Sequence, residues 1–277
     1  MEKIAICGYT SSVGRYFLNK YKHVYRFVLL GRRDPDIYLD LQKQELIGNT
    51  ELLSECEALI NLAAQTENQT FTDISGMVKT NVLGPLFLAE LVRQYRIGKL
   101  IHISSISATY SPGDPFYNYY AQTKKSADEM LTLYCECNDI NYCVLRPSGL
   151  FGTDDFAKHQ KLLYGLMQRI KQNEPIYLNG SRDSHRNYIN VSTLGDVICK
   201  LIGSKITGTY NVINTKSDRL TEIISALKKY YKSNSVIFFM PDKPDIEDLN
   251  LTDSGEIYKL LGLKTPNSFE NELFRKD

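Results

Sequence analysis

Residues 3–14, KIAICGYTSSVG, decide how the rest of the chain is read. A five-residue apolar run meets Gly8, and Gly14 follows just inside the polar start of an amphipathic stretch. That order predicts a strand, a tight turn and a helix. Gly8 permits the turn, Gly14 permits close packing of the helix on the strand, and the helix N-terminus attracts a pyrophosphate. Ser11 stands where a turn of the type G-x-x-G-x-x-G has its middle glycine. It is small enough to leave the backbone open to phosphates. The spacing alone is weak, since any strand-to-helix turn without a ligand can show it. Its place at the head of an alternating chain favours the ligand.

Working outward, apolar runs recur at 26–30, 58–63, 100–103 and 142–145, and helical periodicity fills 80–95 and 119–135. Strand, helix, strand in repetition predicts right-handed crossovers and an α/β fold on a parallel sheet. Ligands of such sheets bind at the carboxyl ends of the strands. The pattern loosens after Pro147, with helices predicted at 161–171, 193–202, 220–231 and 254–261, and strands at 175–178, 188–191 and 209–213. The expected division is a dinucleotide-binding domain over 1–152, to which 187–213 returns, and a smaller substrate lobe over 153–277.

Composition narrows the function classes. Hydrophobic residues are 43% and charged residues 23% of the 277, which is globular rather than disordered. Lys plus Arg is 33 and Asp plus Glu is 32, so the net +1 gives no support for a nucleic-acid or membrane-surface partner. No apolar run approaches the ~18 residues of a membrane span, and the first ten residues lack a signal peptide's pattern. The six cysteines read as reduced thiols of a cytoplasmic protein. No histidine pairs with a cysteine at zinc spacing, so no metal is expected.

Two further stretches bear on chemistry. LLGRRD, 29–34, puts Gly31 where a carboxylate would bond a ribose 2′-hydroxyl, and Arg32 and Arg33 follow. Two guanidinium groups favour a 2′-phosphate, hence NADP over NAD; the alternative is solvated arginines with Asp34 as the ribose ligand. HISS, 102–105, ends a strand, and YAQTK, 120–124, opens a helix. Tyr120 and Lys124 are i and i+4 and share a face. An adjacent ammonium is expected to lower the phenol pKa and make Tyr120 a general acid/base, with Ser105 on the reacting oxygen. Y-x-x-x-K also occurs at Tyr16/Lys20 and Tyr95/Lys99, but only Tyr120 lies just downstream of a strand-terminal serine.

The ordered set of Gly8–Gly14, NLAA (61–64), Asn81 in KTNVLG, HISS (102–105), Tyr120/Lys124 and LRPSGLFG (145–152) resembles the extended short-chain dehydrogenase/reductases, the NAD-dependent epimerase/dehydratase family. NYINV (187–191), TYNV (209–212) and LLGLKTP (260–266) extend the likeness over nearly the whole chain. The resemblance implies a Rossmann-like doubly wound parallel sheet with a small C-terminal substrate-binding lobe. It implies that Gly8, Ser11, Ser12, Val13 and Gly14 cradle the pyrophosphate, that Asp40 and Leu41 meet the adenine, and that Leu62, Ala63 and Ala64 let the cofactor pass. Ser104 and Pro147 would flank the nicotinamide, and Lys124 would bind its ribose. Tyr120 would be the acid/base, Ser105 would polarise the substrate oxygen, and Asn81 would support the proton relay. Arg186 would grip the diphosphate of a nucleotide-sugar, and the helices at 80–95 and 120–135 would pair in a homodimer.

The departures are specific. Ser11 replaces the middle glycine. The loop from Ser105 to Tyr110 is one residue longer than usual, so Ser104 or Ser107 can take the serine role, and Ser107 is a substrate candidate. Ile106 and Ser107 stand where sugar dehydratases of the family have an Asp–Glu pair, so dehydration lacks its acid and base. Three readings follow. The first is NADPH-dependent reduction of a nucleotide keto-sugar. The second is a nucleotide-sugar epimerase with retained NAD or NADP. The third is a dinucleotide-binding sensor without catalysis.

Overall fold

The computed structural model describes residues 1–275. Strands β1 (Lys3–Cys7), β2 (Arg26–Gly31), β3 (Ile37–Asp40), β4 (Glu45–Gly48), β5 (Ala58–Asn61), β6 (Leu100–Ile103) and β7 (Tyr142–Pro147) alternate with helices α1 (Ser12–Tyr21), α2 (Phe71–Val78), α3 (Gly84–Gln94) and α4 (Tyr119–Cys137). The rest of the chain forms β8 (Gly149–Phe151), α5 (Lys161–Lys171), β9 (Ile176–Asn179), β10 (His185–Arg186), β11 (Tyr188–Asn190), α6 (Val191–Leu201), β12 (Gly208–Val212), β13 (Asp218–Arg219), α7 (Leu220–Tyr231), β14 (Ile237–Met240), α8 (Glu256–Leu260) and α9 (Phe269–Leu273).

Eight strands make one sheet in the order β12-β7-β6-β5-β1-β2-β3-β4. From β7 to β3 the pairs are parallel, with Ile4 beside Phe27 on one side and Ala58 on the other. Chain order reverses at β1, so the switch point of this sheet lies between β1 and β5. The fold is therefore α/β and Rossmann-like. The apolar runs of β1, β5 and β6 are buried at every position but Lys3, which is why they show no alternation. One face packs Ala5, Val28, Leu30, Leu59 and Val144 against Leu88, Val92, Leu131 and Cys135 of α3 and α4. Phe27 points the other way, its ring 6.1 Å from that of Phe17 on α1.

The chain forms two compact units, Met1–Arg146 with Val197–Tyr210, and Pro147–Asp196 with the chain from Asn211 onward. The boundary between them lies at Arg146–Pro147, and the segment that rejoins the first unit, Val197–Tyr210, runs from the second half of α6 into the start of β12. The second unit has its own core, in which Leu163, Leu166 and Ile170 of α5 pack with Ile223, Ile224 and Leu227 of α7 and with Phe269. It also holds a two-stranded parallel sheet of β9 and β14.

Three local features differ from expectation. β3 and β4 form an antiparallel pair after β2, with only five residues between the parallel strands β2 and β3. Helix α2 was unforeseen although its start is legible, since Thr70 and Asp73 make a reciprocal capping box. The helix expected over 80–95 is interrupted: a π turn at Lys79–Leu83 joins α2 to α3. Such turns insert an extra residue and redirect a side chain, and this one contains Asn81.

Candidate active site

The first turn is shaped by close backbone approach. Gly8 has φ +80°, and a Cβ there would lie 2.4 Å from the Ala63 amide nitrogen. A Cβ on Gly14 would lie 2.6 Å from the Gly8 carbonyl oxygen. Both glycines are therefore required by space, and Gly8 by its dihedral as well. Ser11 is the N-cap of α1, its Oγ accepting from Gly14 N at 3.0 Å. Serine in place of the middle glycine thus closes the helix start and leaves the turn narrow. Ser12 and Val13 form the first residues of that helix.

Next along the strand ends, Asn61 closes β5. Its Oδ1 accepts from Ala63 N at 3.0 Å, and its Nδ2 lies 3.0 Å from His102 Nδ1. Both residues are fully buried. The amide donates, so His102 Nδ1 accepts and the ring is neutral. Burial and the nearby Lys124 hold its pKa well below the ordinary value. Asn61 and His102 thereby fix the Leu62–Ala64 backbone that faces Gly8. Leu62 is buried and Ala64 exposed.

At the end of β6, Ser105 caps a short 3-10 turn over Ile106–Thr109, its Oγ accepting from Ser107 N and donating to Ser107 Oγ, each at 3.1 Å. The Ser105 hydroxyl also faces Tyr120, while Ser104 is buried and turned toward Asp128. Tyr120 and Lys124 share a face of α4. The Lys124 ammonium stands 5.9 Å from the Tyr120 ring centre and donates to the Ile103 carbonyl at 3.1 Å. One turn further on, Asp128 accepts from Arg146 Nε at 2.6 Å. Burial pushes the Tyr120 hydroxyl up to about 12, against the pull of Ser105. Burial also brings Lys124 down to about 8, with Asp128 opposing. The expectation that the ammonium lowers the phenol pKa is therefore corrected: burial raises the phenol, and the group that pulls it down is Ser105.

Asn81 is fully buried, donating to the Gln65 carbonyl at 2.9 Å and to Thr123 Oγ1 at 3.2 Å, and accepting from Gln65 N at 2.8 Å. It ties the loop after β5 to α4, one residue before Lys124.

Residues 4–214 match the family described as "NAD dependent epimerase/dehydratase family". The chain belongs to that family. Among relatives, UDP-glucuronic acid decarboxylase 1 of Danio rerio is 23% identical over 290 residues, covering 94% of this chain and 68% of its own. Among solved structures, UDP-N-acetylglucosamine 4-epimerase from Bacillus cereus superimposes with a TM-score of 0.78 at 17% identity, over 99% of this chain and 97% of its own. The UDP-N-acetylglucosamine 4-epimerase from Methanobrevibacter ruminantium, solved with UDP-N-acetylmuramic acid, gives 0.77 at 18% identity, over 98% and 96%. At these identities the structural likeness is one of fold.

Within this epimerase/dehydratase chain, the expected residues are distributed unevenly. Gly8, Ser11, Gly14, Leu62, Ala63, Ser104, Ser105, Asn81, Tyr120 and Lys124 cluster at the carboxyl ends of β1, β5 and β6 in the first unit. Asp40 and Leu41 lie at the end of β3, where Asp40 Oδ1 accepts from Gln42 N at 2.9 Å and holds the turn into β4. Leu41 packs where α3 begins, against Gly84. Arg32 and Arg33 are exposed beyond Gly31. Pro147 ends β7 and Arg186 lies in β10, both in the second unit. Arg186 Nη1 donates to the carbonyls of His185 and Glu247, at 2.6 and 2.5 Å.

His102 reads in the sequence as a core or sheet-face residue of a strand, and it is fully buried. Asn61, Thr123 and Arg146 lie inside the quoted motifs with no role of their own, and Gln65 and Asp128 lie outside them. Asp128 had a signal there, four residues beyond Lys124 on the same face. Among the described residues no group of three His, Cys, Asp or Glu side chains is placed to hold a metal, and no helix is long and apolar enough to cross a membrane.

Proposed function

We propose that this chain epimerises a nucleotide-activated sugar by oxidising and re-reducing one carbinol carbon. The observation behind this reading is the convergence of Tyr120, Ser105 and Lys124, with Ile106 buried and Ser107 hydroxyl-bearing where an eliminating acid and base would stand. Such a set moves one proton at one oxygen and has nothing with which to expel a second hydroxyl.

As the phenolate, Tyr120 Oη takes the proton of the sugar hydroxyl and becomes the phenol; on re-reduction it returns the proton and becomes the phenolate again. Ser105 Oγ holds the same oxygen, and the Lys124 ammonium stabilises the phenolate at the start and end of this cycle. Asn81 keeps α4 registered against the loop after β5. A bound nicotinamide dinucleotide supplies hydride acceptance and return. The turn from Gly8 to Gly14 fits its pyrophosphate, since the Cβ-free surfaces of Gly8 and Gly14 and the narrow Ser11 cap keep side chains out of the helix start. Leu62, Ala63, Ala64, Ser104 and Pro147 are its further contacts. Arg32 and Arg33 favour NADP over NAD, because no carboxylate stands at Gly31. Ser107 stands beside the sugar. Met130 and Leu133, exposed on α4, suit a homodimer through α3 and α4. A cytoplasmic location accords with the reduced thiols.

Keto-sugar reduction, the first expectation from Arg32 and Arg33, now ranks second. The relatives reported above are a decarboxylase and two 4-epimerases. The test is incubation with UDP-N-acetylglucosamine, UDP-glucose and UDP-glucuronic acid plus catalytic dinucleotide, followed by proton NMR. Epimer formation without net change in nicotinamide absorbance is expected. Stoichiometric NADPH consumption with a nucleotide keto-sugar, and no epimer from any of the three, would overturn it.

A further inference from the structure

Tyr9 had no role in the sequence, being one of five positions between Gly8 and Gly14. In the structure its ring is 8% exposed and reaches from the first turn to the end of β2. A Cβ on Gly31 would lie 2.8 Å from ring atom Cε1. The Tyr9 hydroxyl donates to the Arg33 carbonyl, so the ring is tethered at both ends. Gly31 does not adopt a positive φ, so its backbone does not demand glycine; the Tyr9 ring does.

This position matters for chemistry. In open α/β sheets the end of the second strand receives the adenosine ribose, and a carboxylate there bonds the 2′-hydroxyl. Here the ring occupies the volume through which such a side chain would leave the backbone. Asp36 is turned back onto β2, its Oδ2 accepting from Leu29 N at 2.8 Å. The turn that meets the ribose is then Arg32 and Arg33, with the Arg33 carbonyl fixed by Tyr9.

We infer that Tyr9 is a specificity-determining residue of the dinucleotide site. Its ring denies position 31 a carboxylate, and its hydroxyl sets the Arg32–Arg33 turn for a 2′-phosphate. The inference rests on the dinucleotide-binding part of the proposed function and is independent of which sugar reaction follows.

The test is fluorescence titration of the cofactor-stripped protein with NADPH and NADH, with thermal unfolding of each free variant as a second readout. The wild type is expected to prefer NADPH by about tenfold or more, the scale of a charge-assisted contact. Gly31→Asp alone is expected to unfold at lower temperature and to weaken both ligands. Tyr9→Gly with Gly31→Asp is expected to unfold no lower than Tyr9→Gly alone, since the overlap is gone, and to reverse the preference. Tyr9→Phe keeps the ring and loses the tether; NADPH is expected to weaken several-fold and NADH to stay unchanged.

Reversal by Gly31→Asp alone at an unchanged melting temperature would overturn the inference. So would a preference that Tyr9→Phe leaves untouched, or a wild type that prefers NADH and loses it in Asp34→Asn. If the double variant does not fold, the Tyr9→Phe titration decides. A wild type that binds neither dinucleotide would overturn the proposed function and this inference together, whereas binding with an indifferent Tyr9 would overturn this inference alone.

Discussion

Arg146 Nε and Asp128 Oδ2 stand 2.6 Å apart, joining the end of β7 to the face of α4 that bears Tyr120 and Lys124. Asp128 is 2% exposed, and burial raises its pKa against the pull of Ser104, Arg146 and Lys124. The carboxylate thus serves two cations, and its loss would strand both.

Asp128→Asn should destabilise the protein by about 3 kcal/mol at neutral pH, the usual cost of removing one partner of a buried pair. Arg146→Met should cost less, since its side chain is 23% exposed. In urea unfolding the double variant should lose less than the sum of the two. Additive losses would mean that the pair contributes nothing as a pair.

Lys124 gives stability a pH dependence of known sign. Its folded pKa is about 8 against an ordinary 10.5. Between those values the unfolded chain binds the extra proton, so the lysine's contribution to stability rises with pH across that window. Relative to Lys124→Met, the wild type should gain on the order of 2 kcal/mol between pH 7 and pH 10. A flat difference across urea midpoints would place the ammonium in water.

Tyr120→Phe should reduce turnover by about 10²–10⁴-fold, the range of positioned acid–base catalysis, while dinucleotide affinity stays within a few-fold. Ser105→Ala should lower turnover with a smaller effect, because Ser105 orients the oxygen and does not carry the proton away. Its folded pKa near 12 also makes Tyr120 cost stability as pH rises from 10 toward 12, where the unfolded phenol ionises first. The Phe variant should lack that loss in alkaline unfolding.

Gly8→Ala should be more damaging than a typical glycine change. The new methyl would overlap the Leu62–Ala63 peptide at a backbone φ of +80°. Both strain and overlap apply, so about 2–4 kcal/mol is expected, with dinucleotide binding lost. A variant with native stability would show that the turn can open.

The sequence by itself determined what depends on neighbours along the chain. Apolar runs with no alternation gave the central strands β1, β2, β5, β6 and β7. Gly8 marked the tight turn, and the i, i+4 spacing put Tyr120 and Lys124 on one face. Local signals were also present and unread: the Thr70–Asp73 box that starts α2 is one. The β3–β4 pair was hidden because its parallel partner β2 lies only five residues away, too short for the helical crossover that an alternating pattern leads one to expect.

Only the tertiary structure decided the partners of the site. Asp128 meets Arg146 across 18 residues, Asn61 meets His102 across 41, and Asn81 meets Thr123 across 42. No local period encodes such distances, since they depend on how strands stack side by side. The same holds for protonation. Spacing places an ammonium near a phenol, but burial decides that Tyr120 rises and Lys124 falls. Tyr9 and Gly31 show the limit most plainly: one reads as a filler and the other as a strand end until the fold sets a ring against a missing Cβ.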